Sequence, residues 1–267
     1  MNTLPLSSTD LALATLLILA MAGCTVLLQL HIWRQIIVAA TRLIIQLSLV
    51  GMILKAVFAQ THILWISLIA MVMLLIAGRE VVARQKHRLS GIWGYGIGTF
   101  SIFISSFTMS AYGLIAIIGA DPWYDPRYAI PILGMLLGNT MNGIALTVDR
   151  LTSSVWQQRS IIEQRLLLGQ DGKTAIRDIA RDSLRSGMIP IINAMAAAGI
   201  VSLPGMMTGQ ILGGAPPMEA VKYQIMIWLM IASGAGFGMM AALHATGRRL
   251  FDDRHRLRLD RFRSTAQ

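Results

Sequence analysis

The chain is short of charge, of cysteine and of clustered acids, and each shortage excludes a class of protein. Only 13% of its 267 residues are Asp, Glu, Lys or Arg, about half the share usual in a soluble domain. With 55% hydrophobic residues, an ordinary water-soluble globule is excluded. Cys24 is the sole cysteine, which rules out an internal disulfide and a cysteine-based metal cluster. His31, His62, His87, His244 and His255 are scattered without ligand spacing, so no metal ligand is assigned among them. The apolar stretches hold no nucleophile with a base and no carboxylate pair, so an intramembrane enzyme has nothing to work with.

A phosphate loop is missing too, although GQDGKT, Gly169 to Thr174, contains its Gly-Lys-Thr. The loop requires a glycine five positions before its second glycine, and Leu167 stands there. It also requires a preceding buried strand, whereas residues 157–168 mix charged and apolar side chains at helical spacing. ATP is therefore not bound by this segment.

What the chain does have is long apolar runs. Seven approach the roughly 20 residues that cross a bilayer: 10–30, 36–58, 62–82, 92–118, 128–148, 188–212 and 220–245. They predict an all-α membrane protein of about seven transmembrane helices, one permease domain over residues 1–267 with no room for a separate soluble domain. The net charge of +10 is distributed as the positive-inside rule predicts, not as a nucleic-acid patch. Arg79, Arg84, Lys86 and Arg88 follow the third run. A second basic stretch lies between the fifth and sixth runs, and seven arginines from Arg248 to Arg263 follow the seventh. These three segments are expected in the cytoplasm. The N-terminus is then outside and the C-terminus, a basic tail over 246–267, inside. No Lys or Arg precedes the first run, so that run is expected to stay as a helix and not to be a cleaved signal peptide.

G-x-x-x-G pairs occur at Gly94/Gly98, Gly134/Gly138, Gly205/Gly209, Gly209/Gly213 and Gly234/Gly238. Such faces let helices approach closely in lipid, within one bundle or between subunits. The longest polar segment, 150–187, places Ile176, Ile179, Ala180, Ser183 and Leu184 on one helical face. Two short amphipathic helices joined at GQDG fit this pattern, with an apolar face that needs cover.

That segment resembles the docking region of ABC-transporter permeases, whose importer-type signature is E-A-A, three residues, Gly, nine residues, Ile, one residue, Leu-Pro. Glu163, Gly169 and Ile179 match the spacing; Gln164 and Arg165 replace the alanines, and Arg181-Asp182 replaces Leu-Pro. Further stretches are RLIIQ from Arg42 to Gln46, IPILGMLLGN from Ile130 to Asn139, SLPGMMTGQILGG from Ser202 to Gly214, and KYQIM from Lys222 to Met226. With these, nearly the whole chain is similar to the FetB (YbbM) family of permeases. The resemblance implies a homodimeric membrane subunit that pairs with a separate ATPase, FetA. It also implies a link to iron export and peroxide resistance, and in plant relatives to aluminium tolerance. ATP and magnesium would sit on the partner, none on this chain. The location implied is a bacterial inner membrane. By the same resemblance, Glu163, Gly169, Lys173, Arg177 and Arg181 form the ATPase-coupling segment, through which nucleotide closure of the partner tilts the spans.

Polar groups inside the runs are the candidates for a transport path or gate, because each needs a partner where water is absent. They are Arg42 and Gln46 on one face of the second run, Asn139 and Asn142 in the fifth, and Asn193 in the sixth. Pro204 is expected to kink the sixth run beside Met206 and Met207, whose thioethers suit soft metals and not iron. Asp121 and Asp125 fit either an outer cation contact or ordinary turn chemistry. The rival reading is an ATP-independent transporter or channel; an ABC permease for a non-metal solute such as a nucleotide sugar is a second alternative.

Overall fold

Residues 7–59 and 62–262 are described by a computed structural model, and they are helical almost throughout. Two helices, α1 (Ser8–Leu27) and α2 (Trp33–Ala59), form one unit; residues from 61 onward form another. In α1 the Ser7 amide donates to Asp10 Oδ2 at 2.8 Å, a reciprocal N-cap that starts the helix. Most side chains of α1 are exposed and aliphatic, with Ala22 and Thr25 the buried exceptions, as suits a helix wetted by lipid.

The second unit is built around two long helices, α6 (Pro126–Gln157) and α11 (Pro217–Arg249), with α3 (Ile63–Ala83) and α9 (Arg177–Ala197) against them. The buried stripe of α3, Ile66, Ala70, Leu74, Ala77 and Val81, advances by three or four residues, which is one helical face. The span Trp93–Ile118 is interrupted. It runs as α4 (Trp93–Ile102), a π-turn Phe103–Phe107, α5 (Thr108–Tyr112) and a second π-turn Gly113–Ile118. At the first π-turn the Ser105 hydroxyl donates to the Ser101 carbonyl at 2.8 Å, competing with the backbone ladder in the way that bends helices. Asp125 caps α6 by accepting the Arg127 amide at 2.9 Å, and Pro126 fills the first helical position. The Asp125 carboxylate thus does turn chemistry.

Six helices are long and apolar enough to cross a membrane: Thr9–Leu27, Trp33–Met52, Ile63–Ala83, Trp93–Ile118, Pro126–Gln157 and Pro217–Arg249. The expected run 188–212 is not one helix. It is the end of α9, a break, and the short α10 (Gly205–Leu212). Two local causes make the break. Gly199 adopts a left-handed φ of +84°, and Pro204 supplies no N–H and holds its predecessor extended. From Gly187 to Ala197 the rise is only about 16 Å, short of the roughly 30 Å hydrocarbon core. The kink expected at Pro204 is therefore a full interruption, with Pro204 as the N-cap residue of α10.

Between α6 and α9 lie α7 (Arg159–Leu167) and α8 (Gly172–Ala175), one on each side of GQDG. The second amphipathic helix of this segment is not separate: α9 runs unbroken from Arg177 into the bundle. Its apolar face finds cover within the chain. Ile176 and Ile179 pack with Ile162 on α7 and with Leu250, Phe251 and Phe262 of the C-terminal tail. The tail folds back after α11, the Ser90 amide donating to the Arg261 carbonyl at 2.7 Å. Arg261 in turn donates to the carbonyls of Arg249 and Phe251 at 2.7 and 3.1 Å. Arg258, beside Asp260, holds that carboxyl down to about 2. Residues 263–267, the end of the expected tail, lie outside the described residues.

Glycines set the closest approaches. Gly98 faces Val81, and Gly234 and Gly238 face Met109, Ser105 and Thr140, so these pairs serve packing within the bundle. Gly205 and Gly209 have open space beside them. The tightest seam is Gly187 of α9, where a Cβ would meet Thr147 Oγ1, Met239 Sδ at 2.7 Å and the Gly143 carbonyl at 3.0 Å. A Gly187→Val change gains at most about 0.5 kcal/mol of helix propensity, because Val is itself a weak helix former, but overpacks the seam at a cost of about 1–3 kcal/mol. Net loss is expected: melting of the purified protein shifts down by several degrees for Gly187→Val. For Gly96→Ala, whose Cβ meets nothing, melting holds or rises.

Candidate functional site

Asn139, Asn142, Gly143, Leu146 and Asp149 repeat at three or four residues along α6, which puts them on one face. Gly187, Pro190, Ile191 and Ala194 do the same along α9. The two faces enclose a cavity of about 510 Å³, closed at one end by Arg84, the residue that ends α3. This is the size of a small-molecule site. Gly143 and Gly187 bring the helices together beside it, and Pro190, lacking an N–H, leaves the Ser186 carbonyl without its helical donor.

The polar groups are tied to one another across the sequence. Arg84 Nη1 donates to Asn142 Oδ1 at 2.6 Å, bridging α3 and α6. Asp149 Oδ1 accepts the Lys86 amide at 2.7 Å, fastening the turn after α3 to the same helix. Asn139 Nδ2 donates to its own backbone, the Met135 carbonyl, at 2.8 Å. One carboxylate, two amides and a guanidinium thus face a half-apolar cavity. No group of three or more His, Cys, Asp or Glu side chains able to hold a metal ion occurs among the described residues.

A second candidate surface hangs from the same two helices. Gly169 ends α7 in a left-handed φ of +89°; its amide donates to Leu166 and that of Gln170 to Arg165, at 3.0 and 3.1 Å. This is the glycine C-cap that turns the chain sharply. Asp171 then caps α8 through the Thr174 amide at 3.3 Å. The hydrogen bond with Thr174, with His255 nearby, holds the Asp171 carboxyl below its ordinary range. Gly172 is buried against the Phe251 ring, 2.6 Å from where a Cβ would stand. The Gly-Lys-Thr of the sequence is thus used for a cap and a ring contact. Glu163, Lys173, Arg177 and Arg181 are exposed. So are Leu167 and Leu168 at the tip, 87% and 84% accessible. Sequence reasoning passed over these two leucines, although an apolar triplet in a polar segment was their signal.

The profile of an uncharacterised protein family, UPF0014, matches residues 8–251. This chain belongs to the UPF0014 family. A UPF0014 membrane protein of Synechocystis is 36% identical over 228 residues, 85% of this chain and 87% of that protein. The probable iron export permease protein FetB of Escherichia coli is 31% identical over 262 residues, 96% and 97% of the two chains. Protein ALUMINUM SENSITIVE 3 of Arabidopsis thaliana is 32% identical over 201 residues, 75% and 71% of the two. No solved structure matches. The resemblance to the FetB permeases read from the sequence holds, and the chain is a UPF0014 membrane permease.

Of the residues expected on a transport path in this UPF0014 chain, Asn139 and Asn142 share the cavity. Asn193 is on α9 but exposed and outside the cavity lining; Ala194 takes the wall position. Met207 is buried, its amide donating to Gln224 Oε1 at 3.3 Å, while Met206 packs at the other end of the bundle from Arg84. Arg42 and Gln46 lie on α2, exposed, in the separate unit. The Arg84 side chain is 51% exposed, so its bond to Asn142 adds little to stability and acts by holding the polar groups of the cavity in place. Asn142→Ala and Arg84→Ala are each expected to lower vesicle flux about tenfold with the melting temperature nearly unchanged. Flux at the wild-type rate in both variants would remove the cavity from the path.

Proposed function

We propose that this UPF0014 permease is the membrane half of an ABC transporter, a homodimer that works with two copies of a separate ATPase and exports iron or a related metal species. The observation that carries the reading is continuity. The hairpin α7–α8 joins α6 through the single residue Gln158 and joins α9 through Ile176, and α6 and α9 are the walls of the polar cavity. A partner that grips the tip therefore moves both walls. The tip suits gripping: two bare leucines flanked by Glu163, Lys173 and Arg177, on an underside locked by Ile162, Ile176 and Phe251. Burying two such side chains contributes about 1.5–3 kcal/mol each, enough to anchor a protein contact.

In this reading the hairpin, the α3–α4 turn and the tail are cytoplasmic, since they hold the cation-rich segments, and the host is a bacterial inner membrane. Iron is supported by the similarity to the probable iron export permease protein of Escherichia coli. The cavity qualifies the form of the cargo. With one carboxylate against a guanidinium and two amides, it suits a chelated metal better than a bare ion, for which oxygen and imidazole ligands are needed.

Reconstituted with its ATPase, the chain is expected to move iron chelates only with nucleotide. Leu167→Asp combined with Leu168→Asp should abolish co-purification of the ATPase and cut flux by an order of magnitude or more. Full flux through vesicles holding this chain alone would establish the ATP-independent alternative instead.

A further inference from the structure

A second cavity, also of about 510 Å³, lies between the start of α9, the end of α11 and the tail. It is distinct from the polar cavity and shares no lining residue with it. Its floor is apolar: Ile176 and Ala180 on one side, Met240 and Leu243 on the other. Its mouth carries Lys173, Arg177 and Arg248. None of these three cations has an acidic partner within 4 Å among the described residues.

The acids at the mouth are mostly engaged. Asp171 accepts the Thr174 amide. Asp252 accepts the amides of Arg254 and Arg256 and pairs with the Arg256 guanidinium at 2.8 Å. Asp253 alone stands unengaged beside the three cations. His244 also lines the cavity, and His255 accepts the Gly172 amide through Nδ1 at 3.4 Å. With Asp252 offset by Arg256, three cations face the two carboxylates of Asp171 and Asp253, which leaves a surplus of one positive charge at the mouth for an anion.

Depth decides which anion. Met240 and Arg248 are eight residues apart on α11, about 12 Å along the helix axis. Arg248 and Arg249 close the last turn of the apolar span Pro217–Arg249, where basic side chains meet the headgroups. The cavity thus begins among hydrocarbon-facing residues and opens at headgroup level. A free phosphate would use the mouth and leave the apolar floor uncovered.

We infer that this cavity is a binding site for an anionic phospholipid, its phosphate on Lys173, Arg177 and Arg248 and its upper acyl chain along Met240 and Leu243. Basic pockets between membrane helices hold such headgroups. The bound lipid would add to the contacts that Ile176 of the hairpin arm already makes with Gly247 and Leu250 at the end of α11. The site rests on the membrane reading and not on the existence of an ATPase partner.

The test is lipid retention by the full chain purified in detergent, read by native mass spectrometry. The probes are phosphatidylglycerol, phosphatidylcholine of the same acyl chains, and glycerol phosphate. Phosphatidylglycerol is expected to be retained about tenfold over phosphatidylcholine. Arg248→Gln with Lys173→Gln should bring the two to parity, and Arg248→Lys should keep the preference, which separates loss of charge from loss of fold. Equal retention of both lipids by the wild type, or a preference that survives the double substitution, overturns the site. So does displacement of phosphatidylglycerol by millimolar glycerol phosphate, which makes it a free-anion site, or by a purified ATPase, which makes it a docking face.

Discussion

Everything in the larger unit depends on how closely α6 and α9 approach at Gly143 and Gly187. A glycine at each position brings the Gly143 carbonyl within contact of the facing helix, and Met239 of α11 fills the remaining notch. In lipid there is no hydrophobic drive to hold helices together, so close backbone approach and good packing must supply it. The seam fixes where the two helices meet, and the polar cavity opens from that point toward Arg84. A side chain at either glycine would separate the walls and the groups that line them.

The same two helices leave the bundle at its cation-rich end and become the hairpin. There the chain pins them a second time, with Phe251 in the Gly172 notch and Phe262 beside Trp156 and His87. The result is a lever with two fixed points. In the proposed transporter, force at the tip passes along the helices, since Gln158 alone separates α6 from α7 and Ile176 alone separates α8 from α9. A packed element of this kind shifts between discrete arrangements more readily than it bends.

Periodicity and composition made much of this legible. The amphipathic stripe from Ile176 to Leu184 is buried at Ile176, Ile179 and Ser183 and half-buried at Ala180 and Leu184, the glycine of GQDG turns the chain, and six of the seven apolar runs are helices fit to cross a membrane. The sixth run, 188–212, misled because hydropathy records apolarity and not continuity; Gly199 and Pro204 break a stretch that averages as a span. Asn193 misled for a different reason. Polarity inside a run says that a partner is needed, not which way the side chain faces. What the sequence did not disclose are contacts between distant positions: Arg84 with Asn142, Asp149 with the Lys86 amide, and Phe251 with Gly172. The tail was legible only as charge, yet its apolar residues pack: Leu250, Phe251 and Phe262 are buried, with Leu257 and Leu259 against them.

In the proposed transporter, movement of the hairpin moves the cavity walls. The most direct measurement places spin labels across the cavity, on Leu146→Cys and Ala194→Cys in a Cys24→Ser background, and compares their distance in the assembled transporter with and without bound nucleotide. The account predicts two distinct distance populations that interchange with nucleotide state. A single unchanged distance while transport proceeds would contradict it.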